Sequence, residues 1–148
     1  MASLHFERIL APTDFSSCAE KAFRFAAGLA RTFDSEIVLL HVFDERVVSS
    51  LFNLRKMAPE EAREAMLKTA KKRMKKLMKV DFAKDLRLRA RYEQGFPPRV
   101  VQATAEEIGA DLIVMGQHGD AGLAQLLYGS TAEGVVRGAP CPVLTINP

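Results

Sequence analysis

The 148-residue chain carries 21 Lys and Arg against 18 Asp and Glu, a formal net charge of +3, with 48% hydrophobic and 26% charged residues. That balance excludes disordered and fibrous classes, and the length suits one domain with a sizeable core. No run approaches the ~20 apolar residues of a membrane helix, and Met1 to Leu10 (MASLHFERIL) is too short and polar for a signal peptide, so a single cytoplasmic domain over residues 1–148 is expected.

Arg8 to Thr13 (RILAPT) is a short apolar run ending at a turn, the first predicted strand. Ser17 with Glu20 reads as a capping box, and Ala22, Phe25, Ala26, Leu29, Ala30 and Phe33 recur behind it at helical spacing. Glu36 to Phe43 (EIVLLHVF), rich in branched residues, is the second strand. Asp44 to Pro59 is long for a connection and too apolar for a solvated loop. A short helix over a site or against a partner fits it, and so does a plain packing segment.

Most of the excess charge lies in Lys68 to Lys79 (KTAKKRMKKLMK). Ala62, Ala65, Met66, Thr69, Ala70, Met74, Leu77 and Met78 share one side there, which leaves the lysines on the solvated face of an amphipathic helix. A nucleic-acid or membrane surface would need interleaved aromatics or a second basic patch; neither is visible, so neither partner is expected. Leu86 to Tyr92 (LRLRARY) alternates apolar and basic residues as a half-covered edge strand would. Pro97-Pro98 opens a helix with Val101, Thr104, Ala105 and Ile108 on one face, closed by Gly109. Asp111 to Met115 (DLIVM) is apolar enough for a central strand covered on both sides, and Pro142 to Ile146 (PVLTI) is the last strand.

Strands and helices therefore alternate, which predicts a three-layer α/β fold of Rossmann-like type: a five-stranded parallel sheet with right-handed crossovers and helices on both faces. Ligands of such sheets bind beyond the carboxyl ends of the strands, where the strand order reverses. Cys18 and Cys141 lack metal-like spacing and read as buried thiols.

The stretch after the fourth strand, GQHGDAGLAQLLYGST, is glycine-rich and stands before the predicted helix Ala132 to Arg137. Backbone N–H groups converging ahead of a helix N-terminus can cradle a phosphate, and glycine allows close approach. Glycines also gather at ordinary strand-to-helix turns, so spacing alone leaves both readings open. The Walker form is absent because Ser130, not lysine, follows Gly129, and no Gly-x-Gly-x-x-Gly follows the first strand.

Gly116-x2-Gly119-x9-Gly129-Ser130 is similar to the Gly-x2-Gly-x9-Gly-Ser/Thr signature of the ATP-binding branch of the universal stress protein family. ILAPTDFS, LLHV, ADLIVMGQHG and GAPCPVL resemble the same family in the same order, so the likeness runs from Ile9 to Ile146. The resemblance implies ATP across the ends of the first and fourth strands, in a regulatory, stress-response role. Pro12, Thr13 and Asp14 would face adenine and ribose with Val42 beside the base; Met115 and Gly116 would border the ribose; Gly119, Gly129, Ser130 and Thr131 would hold the phosphates, with His118 between the matching glycines. Asp14 suits an amino or hydroxyl group better than a phosphate, unless Mg2+ or Mn2+ intervenes. The resemblance also implies a homodimer paired through the last strand. A slow ATPase or autophosphorylating enzyme is the competing reading, although no catalytic dyad is evident in the motif.

Overall fold

A computed structural model of the chain describes residues 3–55, 57–117 and 130–148. Strand β1 (Arg8–Pro12) leads through a tight turn into helix α1 (Ser17–Phe33), and β2 (Glu36–Asp44) follows. Helices α2 (Glu45–Arg55) and α3 (Pro59–Leu77) come next, then a 3-10 turn at Asp81–Ala83 and β3 (Arg87–Gly95). Helix α4 (Pro97–Ile108), β4 (Leu112–Gly116), α5 (Ser130–Gly138) and β5 (Val143–Ile146) complete the order.

All strand pairs are parallel, in the order β3-β2-β1-β4-β5. Alternation along the strands feeds two cores. Ile9, Ala11, Ile37, Leu39 and Val114 pack with Phe23 and Ala26 of α1 and Met74 and Leu77 of α3. Leu10, Val38, Leu40, Ile113 and Met115 pack on the opposite face with Val101 and Ala105 of α4 and Ala132 and Val135 of α5. Coverage on both faces explains why the central strands read as unbroken apolar runs. The expected three-layer α/β architecture is the observed one, with β3 and β5 as its edges.

Three local expectations change and one open alternative is decided. Ser16, not Ser17, caps α1: its backbone is extended (φ −72°, ψ 164°) and its Oγ accepts from Ala19 N at 3.2 Å, the geometry a cap requires. The buried face of α1 runs through Ala22, Phe23, Ala26, Ala27 and Ala30, while Phe25 stays 53% exposed. Residues 45–55 form a helix because Asp44 ends β2 and accepts from Arg46 N at 2.9 Å, an N-cap contact, while holding the Arg46 guanidinium in a forked pair. Those Arg46 hydrogen bonds pull the Asp44 carboxyl below its ordinary pKa. Val48 is buried, but Val47, Phe52 and Leu54 of α2 remain exposed. Finally, Ala65 and Thr69 of α3 are exposed rather than covered, because they border an open groove.

Candidate functional site

The strand order reverses between β1 and β4, whose chain neighbours lie on opposite sides, so their carboxyl ends leave an opening between crossovers. Pro12 closes β1, and Thr13 is clamped just beyond it. Its N–H donates to Leu40 O at 2.8 Å, its Oγ1 accepts from Phe15 N at 3.0 Å, and its carbonyl accepts from His41 Nδ1 at 2.9 Å. Asp14 is exposed, with Oδ1 accepting from Ser16 N at 2.9 Å, a local turn contact that leaves its second oxygen for other partners. Phe15 takes a left-handed backbone (φ 64°), uncommon for a bulky residue, and this turns the chain from strand to helix within four residues.

Val42 of β2 is half-buried on the α4/α5 face, the face that also holds Met115. Gly116 ends β4 where α1 begins: a Cβ there would meet Cys18 Sγ at 2.9 Å and the Cys18 backbone at 3.0 Å, so only glycine allows this approach. Gln117 N then donates to Ile146 O at 2.9 Å, tying the end of β4 to β5. On the far side, Ser130 is the first residue of α5 and Thr131 lies in its first turn, half-buried. Pro12, Thr13, Val42, Met115 and Gly116 therefore gather at one end of the sheet, with Asp14 at its rim and Ser130 and Thr131 at a helix N-terminus. His118, Gly119 and Gly129 lie outside the described residues.

Sequence periodicity does not single out His41. Its neighbours in the strand, Leu40 and Val42, point to the α4/α5 face, which leaves His41 on the α1/α3 face beside Phe15, at a ring separation of 4.7 Å. Burial lowers the His41 pKa, opposed by the Thr13 carbonyl and Asp14 and reinforced by Arg73. Burial thus favours the neutral ring, and since a carbonyl only accepts, the proton of that form sits on Nδ1.

Among the described residues no three His, Cys, Asp or Glu side chains group as a metal site. None of their helices is long and apolar enough to cross a membrane.

An open parallel sheet whose strand order reverses between β1 and β4 defines a doubly wound α/β protein. The sequence matches the Universal stress protein family over residues 5–147, and the chain belongs to that family. Universal stress protein MJ0577 of Methanocaldococcus jannaschii is 30% identical over 157 residues, covering 98% of this chain and 97% of the relative. The solved structure of MJ0577 superposes with a TM-score of 0.83 at 30% identity, covering 98% of each chain. The Archaeoglobus fulgidus universal stress protein in complex with dAMP shares the fold, with a TM-score of 0.60 at 21% identity over 97% of this chain and 99% of that one.

Proposed function

We propose that this chain is one universal stress protein domain over residues 1–148 that binds ATP at the switch point and acts as a nucleotide-dependent regulatory module. The carrying observation is that Gly116 ends β4 and Ser130 begins α5, so the glycine motif runs in sequence from a strand end to a helix N-terminus. Backbone N–H groups and the positive helix end favour a polyphosphate there. Val42, Met115 and Pro12 offer an apolar bed for a base, and the free oxygen of Asp14 suits an adenine amino group or ribose hydroxyls. The dAMP held by the A. fulgidus protein supports the same ligand class. Mg2+ or Mn2+ would enter with the phosphates.

Binding is favoured over efficient catalysis because residues 116–131 contain no Lys or Arg to neutralise a γ-phosphate. Calorimetric titration of nucleotide-free protein with ATP and GTP tests the reading. Saturable ATP binding that GTP does not match is expected, with turnover below ~1 s⁻¹. Absence of ATP binding refutes the site; faster turnover refutes the non-enzymatic assignment.

The partner proposed for the protein is a second copy through β5. That edge is short and uncharged, whereas β3 blunts its edge with Arg87, Arg89 and Arg91. The alternative cover, residues 44–59, contains α2, which packs with β2 and α3. Light scattering should report a dimer that the Val143→Lys, Thr145→Lys double variant dissociates, since like charges would meet across the pairing. An unchanged dimer in that variant would exclude β5.

A further inference from the structure

The groove that α3 leaves uncovered has a volume of about 320 Å³ and opens on the α1/α3 face of β2, the face opposite Val42 and Met115. This volume lies at the lower end of the ~300–1,000 Å³ typical of ligand clefts and suits one or two fused rings.

Its walls carry three kinds of chemistry. Phe15, His41 and Phe43 form an aromatic row, with ring centroids 4.7 Å and 4.9 Å apart, and Met66 faces them from α3. All four are only half-buried, so part of each side chain borders the open groove. Arg73 closes one end. Its guanidinium lies 4.7 Å from the Phe15 centroid and, among the described residues, makes no ion pair or hydrogen bond. A forked cation with its donors unspent is complementary to a carboxylate. Third, His41 Nδ1 is committed to the Thr13 carbonyl, so Nε2 of the neutral ring is a lone-pair acceptor, without a partner among the described residues.

These features also differ from ordinary core packing. Phe15 adopts its left-handed backbone and yet leaves its ring half-exposed. Ala65 and Thr69 occupy the covered face by helical spacing, yet among the described residues both are exposed and border the groove.

We propose that this groove is a second ligand site, separate from the nucleotide site, for a small planar aromatic carboxylate carrying a ring N–H or hydroxyl. The ring lies along the exposed border of Phe15, His41 and Phe43, against Met66, the carboxylate pairs with Arg73, and the ring donor bonds His41 Nε2. Asp14, whose charge His41 also senses, is exposed at the start of α1 with one oxygen held by Ser16. Arg73 stacked on Phe15 supplies the cationic end.

Indole-3-acetate is a suitable probe, with 3-methylindole as its uncharged counterpart. Titrated by calorimetry into the full-length protein, indole-3-acetate should saturate, and 3-methylindole should bind about tenfold more weakly or worse, the loss expected for one charged hydrogen-bonded pair. Arg73→Met should reduce the acid to the affinity of its uncharged counterpart. Ala65→Trp, which fills the groove, should abolish binding of both. Both positions are exposed, so the variants should fold, and thermal melts with retained ATP binding check this. ATP should not displace the probe. The proposal is overturned if millimolar indole-3-acetate fails to bind the unmodified protein, if either variant binds it with unchanged affinity, or if ATP displaces it.

Discussion

Phe23→Ala is expected to lower the unfolding free energy by about 3–5 kcal/mol, the usual cost of truncating a buried phenylalanine. Phe23 is 1% exposed at the centre of the α1/α3 core, edge-to-face with Phe82 at 5.1 Å. Phe82 is in turn covered by the Arg24 guanidinium at 4.6 Å, so truncation opens a cavity whose walls are already committed to other partners. Phe25 is the control. It lies two residues away on the same helix but is 53% exposed, and Phe25→Ala should stay within about 0.5 kcal/mol of the unmodified protein. For a chain of this size the first change corresponds to a melting shift of about 6–20 °C. Urea denaturation of the two variants side by side separates the cases, and equal stabilities would mean that the orientation of α1 is wrong.

The contrast between these two phenylalanines marks the limit of pattern reading in α1. Ala22, Ala26 and Ala30 define a stripe, but the aromatic beside it can be drawn from Phe23 on one flank or Phe25 on the other. Only the position of β2 and α3 decides between them. The strands are more legible. A strand covered on both faces reads as a continuous apolar run, so β2 and β4 stand out, and the alternating arginines of β3 announce an edge.

At the candidate nucleotide site, Pro12, Thr13, Met115, Gly116 and Thr131 are proposed through a family resemblance carried by short strings such as ILAPTDFS and ADLIVMGQHG, which can be read along the chain. The groove is not legible, because Phe15, His41, Met66 and Arg73 come from a turn, a strand and two points along a helix. No sequence spacing relates them. His41 sits in an apolar strand and Arg73 inside a lysine-rich run, where each has an ordinary explanation. They meet only when β2 presents one face to α3.

Gly129→Val should weaken ATP binding by about tenfold to a hundredfold or more, and this is the most direct consequence of assigning the phosphates to the glycine motif. Gly129 immediately precedes Ser130, the first residue of α5, in the sequence. A phosphate there would be held by N–H donors, and a β-branched side chain keeps those donors at a distance. Loss of one charge-assisted hydrogen bond corresponds to about 1.5–3 kcal/mol, which spans that range of affinity. Stability is a separate readout: if the valine disturbed the fold, melting would fall with affinity. Gly28→Ala guards against a general glycine effect, because a Cβ at Gly28 meets nothing within 4 Å and lies inside α1, where alanine stabilises a helix by up to ~1 kcal/mol. That variant should bind ATP as the unmodified protein does. Unchanged calorimetric affinity in Gly129→Val, with the melting curve intact, would remove the phosphates from this turn.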